Sequence, residues 1–485
     1  MHAGMILLCL WAATGQASAS QPASAAADPQ LYVVAVSEAT YAQPSWRAVV
    51  DALVTKHHAR VIRYAGTVGS AHAELAACMP DAICFVATPE EAGRDFVVAV
   101  NRMTRRLDDD PYTDALWGIL TGYDAADALR IARRTEPLLV TRGASGLGPG
   151  YVGGLESGFA AEEKRFWIKN AGGKYEEKPV SPDAAESLAG AFNTMHPQVF
   201  YTSGHATQRD WQIGYTSRAG QFRHRDGQLL SINTQGRAFK IDSPEPKVYL
   251  PMGNCLIGHI DRRDCMATSW MHSGGVYQMY GYTAVTWFGR MGWGTSGAFG
   301  EGMPLNEAFY FTNQRLVREL VEKYPHLAAI EFDTYDDRKI GELAGRHKLV
   351  KRNDKTGRWE LLKEPMGLLW DRDCVAFYGD PAWEARIPVE RAWTLSWSRS
   401  GNTWTLTITP LKDDAGPASL AVMLPRRLTH ATVSPAAVKA IVTDNFLLAD
   451  SPQPPSGYKK DQPVTITVTG TPMVRPTAEK LKQAR

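Results

Sequence analysis

Two residues of this chain could carry nucleophilic chemistry together, His205 and Cys255. Each ends a short apolar, β-prone run: Gln198-Val-Phe-Tyr-Thr-Ser-Gly-His205 and Lys247-Val-Tyr-Leu-Pro-Met-Gly-Asn-Cys255. The carboxyl end of a buried strand is where an open α/β sheet places its active site. The two side chains can meet only if their strands are neighbours. A thiol beside an imidazole then forms a thiolate–imidazolium pair, the nucleophile of a cysteine peptidase. Such a site also needs backbone amides for the developing oxyanion. The Ser203-Gly204 and Gly253-Asn254 turns bring the amides of Gly204 and Cys255 into reach. A pocket for the side chain before the scissile bond falls to the aromatic, glycine-rich stretch Tyr282–Gly300.

The elements that must position this pair follow from periodicity. From Leu31 the chain alternates strand-like and helix-like segments. Strands are expected at Leu31–Ser37, Arg60–Tyr64, Ile83–Ala87 and Leu116–Leu120. Helices are expected at Trp46–His57, Glu90–Leu107 and Ala125–Arg134. This alternation predicts a parallel sheet covered by helices. Beyond it lie the strands before His205 and Cys255, the helix-like Met266–Met271, the strand Val276–Tyr280 and the helix Pro304–Tyr324, bounded by Pro304 and Pro325. Gly143–Gly154 lacks a phosphate-loop ending and reads as a connection between two α/β halves. After Ile387 the pattern alternates: Trp393–Trp397, a Ser400-Gly-Asn402 turn, Trp404–Ile408, and a later strand at Pro463–Thr469. A small β-sandwich is expected there.

At this point the order of elements resembles the caspase–gingipain type of cysteine peptidase. That family has a strand ending in His-Gly and then a strand ending in Ala-Cys or Gly-Cys. Here the counterparts are Ser-Gly-His205-Ala206 and Gly253-Asn254-Cys255. Asp110-Pro-Tyr-Thr-Asp114 with Gly122-Tyr-Asp124, the strand Gly274-Gly275-Val-Tyr-Gln-Met-Tyr-Gly281 followed by Trp287, and Tyr378-Gly379-Asp380-Pro381 are similar to gingipain segments in the same order. The resemblance implies a mostly parallel sheet sandwiched by helices in two subdomains, followed by an Ig-like β-sandwich. It implies Cys255 and His205 as the catalytic dyad, with the amides of Gly204 and Cys255 as the oxyanion site and Trp287 and Tyr282 in the pocket wall. Asp114 is the candidate to orient His205, with a turn or cap role as the alternative. Asn254 stands where the family has a small residue, and its side chain either crowds the pair or hydrogen-bonds to it. No cofactor is expected, although the resemblance allows structural calcium at unassigned sites.

The bulk numbers set bounds. At 485 residues the chain exceeds one ordinary core. The expected divisions are a signal segment at 1–27, α/β subdomains at 28–142 and 143–386, a β-sandwich at 387–474 and a basic tail at 475–485. Hydrophobic residues at 44% and charged residues at 21% fit a soluble globular protein. The 53 basic and 51 acidic residues leave a net charge of +2, which gives no reason to expect a nucleic-acid partner. No apolar run reaches the ~18 residues of a membrane span. Met5–Ala13 with the small-residue sites Ala17-Ser-Ala19 and Ala23-Ser-Ala25 reads as a secretory signal, so an exported protein is expected. Without that segment five cysteines remain. Cys78–Cys84 and Cys265–Cys374 could bridge if Cys255 is free, and buried reduced thiols are the equal alternative. His259, Asp261, Asp264 and His272 match no compact metal motif and read as a surface ion-pair loop. His-Glu-x-x-His and Gly-x-Ser-x-Gly are both absent. The function expected is a secreted cysteine endopeptidase acting on proteins or peptides. The alternative is a catalytically inactive relative that binds with the same fold.

Overall fold

The computed structural model describes residues 30–475 except 437, 451 and 455, together with Gln16–Ala17. The expected signal segment apart from those two residues, and the tail after 475, lie outside the described residues. The described chain forms two compact units. One holds 30–299, 304–388 and 474–475, the other 300–303 and 389–473 with Gln16–Ala17.

The larger unit is built on a 12-stranded sheet. Its strands are β1 (Tyr32–Ser37), β2 (Arg60–Tyr64), β3 (Ala82–Val86), β4 (Leu116–Leu120), β5 (Arg142–Ser145), β6 (Ser157–Glu162), β7 (Arg165–Lys169), β8 (Glu176–Lys178), β9 (Val199–Thr202), β10 (Lys247–Pro251), β11 (Val276–Tyr282) and β12 (Val375–Tyr378). The order across the sheet is β8-β7-β6-β5-β9-β10-β11-β12-β4-β3-β1-β2. Only β8–β7, β7–β6 and β11–β12 pair antiparallel, so the sheet is mostly parallel. Its central strands are apolar without alternation, because both faces are covered. Every residue of β1, β3, β9, β10 and β11 is buried.

The covering helices are α1 (Glu38–Ala42), α2 (Pro44–His57), α3 (His72–Cys78), α4 (Arg94–Thr104), α5 (Ala125–Ala132), α6 (Ala185–Met195), α7 (Met266–His272), α8 (Arg290–Gly300), α9 (Leu305–Lys323), α10 (Ile340–Arg346) and α11 (Lys363–Cys374). Helix α2 opens on Pro44 and buries Val49, Val50 and Leu53, the face its spacing foretold. Helix α4 starts later than periodicity suggests. Glu91 folds back instead, accepting bonds from the Ser37 and Thr40 hydroxyls and the Thr88 amide.

Two sequence expectations are corrected. The run Gly143–Gly154 is not a plain connection. Its start is β5, deep in the sheet between β6 and β9. Gly143 lies there because a Cβ would come within 2.4 Å of Leu155. Tyr282–Gly300 is not one long loop, since its second half is α8. Glycine disfavours a helix in isolation, but a Cβ on Gly292 would sit 1.9 Å from the Met252 carbonyl oxygen. Of the two alternatives open to Cys78, Cys84, Cys265 and Cys374, the structure takes the reduced one, since all four are buried free thiols.

The smaller unit pairs two sheets, antiparallel except where Gln16–Ala17 runs parallel to Ser419–Leu420. One runs Trp393–Ser400, Thr403–Pro410, Val464–Pro472, Leu428–Ser434; the other runs Ser419–Met423, Phe446–Asp450, Lys439–Val442, with Gln16–Ala17 beside Ser419–Leu420. Their inner faces share one core containing Trp397, Trp404, Leu406, Leu420, Leu447 and Ile466.

Just after β12, the fully buried Asp380 ties the sheet to α2. It accepts bonds from the Tyr32 hydroxyl, the Lys56 ammonium and the His57 ring, each at 2.8 Å. Burial opposes its ionisation, but the His57 hydrogen bond and the Lys56 charge outweigh that and hold its carboxyl well below the usual range. A depressed carboxylate contributes stability above its unfolded pKa of about 3.9 and loses it as pH falls toward the folded value. Asp380→Asn is expected to cost about 3–5 kcal/mol at neutral pH, because it leaves Lys56 buried without its counter-charge. A shift of the urea midpoint checks this. The wild type should lose the same increment below about pH 4, while the variant should not.

Candidate active site

Strands β9 and β10 pair in parallel, from Val199↔Val248 to Thr202↔Pro251. The segments carrying His205 and Cys255 therefore leave the sheet side by side, the condition the sequence required. The turns are then joined by a side chain. Asn254 is fully buried. Its Oδ1 accepts from Thr202 Oγ1 at 2.6 Å, and its Nδ2 donates to the Gly204 carbonyl at 3.0 Å. Thr202 Oγ1 is in turn 2.9 Å from the Tyr249 hydroxyl. Asn254 thus fastens the Cys255 turn to the peptide just before His205. Of the two roles open to it from sequence, it bonds, but to backbone and Thr202 rather than to the reactive pair. Gly204 adopts φ +93°, and a Cβ there would meet the Tyr215 ring at 2.9 Å. Both facts require glycine.

Cys255 is half-buried. Its sulfur accepts from the Thr286 amide at 3.3 Å and lies 3.9 Å from the Thr286 carbonyl. The residues after it are pinned to the exit of β11, with Leu256 N on Ala284 O and Gly258 N on Tyr282 O, both at 3.0 Å. Burial pushes the thiol pKa up, and the Thr286 hydrogen bonds pull it only partly back. His205 is exposed, and among the described residues its imidazole has no hydrogen-bond or ion-pair partner. The fold brings the two turns together, yet the imidazole is not bonded to the sulfur in this state. The amides of Gly204 and Cys255 donate to no other described residue.

Behind the site, α8 packs through Gly292 onto Met252. In front of it lie exposed aromatic rings that the sequence reading did not single out. Tyr215 covers Gly204, Trp293 lies beside Gly253, and Tyr151 is 6.4 Å from Trp293 and 6.1 Å from Tyr201 between ring centres. Glycine-rich surroundings hid them, since Tyr151 and Trp293 sit in runs that read as loop. Trp287 directly follows Thr286 and is 56% exposed, so it is free to wall a pocket and is not core filler.

Two assigned residues do not take their expected places. Tyr282 is fully buried. Its hydroxyl donates to Asp371 Oδ2 at 2.9 Å and accepts from the Gly292 amide at 3.3 Å, so it braces α8 and cannot touch a substrate. Asp114 is 2% exposed and accepts from the Leu107 amide at 3.0 Å. It precedes β4, and β10, β11 and β12 separate β4 from β9, a lateral distance of about 19 Å at the usual strand spacing. It cannot orient His205. Asp114 instead converges with Asp108 and Asp110, their ligand atoms within 4.8 Å, a spacing that could hold a cation. Each also accepts an amide of its own loop, which accounts for the convergence without an ion. Asp261, Asp264 and His272 are split among separate contacts, His224–Asp264 and His272–Asp127 at 2.9 Å and Arg209–Asp261, and His259 joins none of these pairs.

No family profile matches the chain, and no curated protein matches it. A solved structure described as the Arg specific cysteine proteinase gingipain R (RGPB) overlaps 92% of this chain and 96% of its own, at 11% identity and a TM-score of 0.39. At that level the overlap carries no inference about this site, which stands on its own geometry.

Asn254→Ala is expected to cost about 1–3 kcal/mol, because it leaves the Gly204 carbonyl without its donor and the Thr202 hydroxyl with only Tyr249. Thermal melts would read the loss. With the thiol raised and unpaired, Cys255 in the ligand-free protein should alkylate faster as pH climbs past about 8.5. A rate already at its plateau near pH 6 would mean that the imidazole pair is preformed.

Proposed function

We propose that the chain is a cysteine-type endopeptidase with a caspase–gingipain-like catalytic region and an Ig-like C-terminal sandwich. The observation that supports it is the side-by-side exit of the His205 and Cys255 turns from adjacent parallel strands, joined by Asn254. In this reading the exposed His205 imidazole turns onto the sulfur as substrate binds and takes the thiol proton. The thiolate attacks the scissile carbonyl, and the amides of Gly204 and Cys255 receive the oxyanion. The imidazolium then protonates the leaving amine, and water, deprotonated by the same imidazole, hydrolyses the thioester. Trp287 flanks the substrate side chain. The substrates are proteins or peptides, and the protein is exported.

A second reading is favoured by the raised thiol and the unpartnered imidazole: a non-catalytic binding protein that keeps the fold. Peptide-library cleavage by the purified full chain separates the two. The peptidase reading expects Cys255→Ala and His205→Ala each to lose activity by about 10²-fold or more. Equal cleavage after Cys255→Ala would sink it. Wild-type protein that binds peptides without cleaving them would support the second reading.

A further inference from the structure

The N-terminal half of the sheet contains a site that the Cys255 chemistry does not use. Its strands run in the order β4-β3-β1-β2, so the chain starts at β1, moves outward to β2, and returns across β1 to β3 and β4. The connections diverge between β1 and β3. At such a switch point the loops leaving the strand ends part and open a crevice. A cavity of about 560 Å³ lies there, lined by the loops that follow β1, β3 and β4. Its volume is in the range of small-molecule sites.

The lining is acidic and aromatic. Glu90, Glu91, Asp124, Trp46 and Tyr123 face Arg263, the single cation among the lining residues. The carboxylates are held by neutral donors. Glu91 accepts from Ser37, Thr40 and Thr88, and Asp124 accepts from the amides of Ala126 and Asp127. Among the described residues no Lys, Arg or His forms an ion pair with Glu90, Glu91 or Asp124. Arg263 lies 4.4 Å above the Tyr123 ring and donates to its hydroxyl at 3.2 Å. The chain's own guanidinium thus occupies the aromatic, acidic wall.

We propose that this switch-point cavity binds a small organic cation, one carrying a primary amine or guanidinium, which competes with Arg263 for Tyr123 and neutralises Glu90 and Glu91. A metal ion fits less well. The cavity is far larger than an ion, and its wall is aromatic as well as acidic. The proposal is independent of the peptidase reading, because cleavage plays no part in its test.

The probe is agmatine, titrated into the full chain by calorimetry, with calcium chloride titrated in parallel. One agmatine per chain is expected. Glu90→Gln and Glu91→Gln should each weaken it about tenfold or more, whereas Arg263→Gln should tighten it by removing the internal competitor. Raised ionic strength should weaken it. Cys255→Ala and Trp287→Ala should leave it unchanged. Glu90 and Arg263 are exposed, so their variants decide the matter if Glu91→Gln fails to fold. No agmatine binding at millimolar concentration overturns the proposal. So does binding indifferent to Glu90 and Arg263, binding lost in Trp287→Ala, or Glu91-dependent binding of calcium in place of agmatine.

Discussion

The candidate site depends on the parallel pairing of β9 with β10. Register in a parallel sheet holds the two strand ends level, and both strands are buried, so neither can slip without exposing apolar side chains. Everything reactive hangs on that level. Asn254 can bridge to Gly204 only because Thr202 and Pro251 lie opposite each other. The start of β10 is anchored as firmly as its end. The fully buried Lys247 donates to the carbonyls of Ser243, Glu245 and Gly274 at 2.5–2.8 Å. Those bonds tie the entry of β10 to the turn that opens β11.

Close approach is the second constraint. Helix α8 stands behind the Cys255 turn only where side chains are missing, and it is oriented by a buried polar pair. Tyr282 and Asp371 bond each other, and each meets an amide of the first turn of α8. Burial raises the Asp371 carboxyl to about 6. Most of the polar side chains that brace the site are thus buried and satisfied, while His205 and Trp287 are exposed. A braced frame beside an exposed imidazole is compatible with the proposed dyad, since catalytic hydrogen bonds commonly tighten only with substrate present.

The two α/β halves share one sheet and divide the chemistry between them. The half that carries Cys255 offers a half-buried thiol, free amides and exposed rings. The other half offers a cluster of carboxylates facing one guanidinium at a strand-order switch. They are joined at β12, where Asp380 gathers Tyr32, Lys56 and His57, and where α11 delivers Asp373 into a buried cluster with Arg105 and Arg372. These buried ions fix the fold where the sheet changes direction. They are weak as net stabilisers, but removing one partner leaves a buried charge unpaired.

Much of the frame was legible in the chain. Arg60–Tyr64 and Leu116–Leu120 coincide with their strands, because a β run between turn residues has few alternatives. The apolar runs before His205 and Cys255 read as buried strands for the same reason, and the alternating pattern after Ile387 marked a separate β unit. Local pattern failed where the tertiary environment outweighs propensity. Glycines that break a helix in isolation build α8 against the Met252 carbonyl, and a glycine run that resembled a linker includes β5. The resemblance placed Tyr282 at a pocket, and together with residue type it set Asp114 beside His205. Only the fold, through burial and strand order, removed the first from solvent and set the second four strands away. The sequence by itself determined which residues could react and which strands would carry them. The tertiary structure decided which of those residues meet, because strand order and close backbone contact are set by long-range packing that no local pattern records.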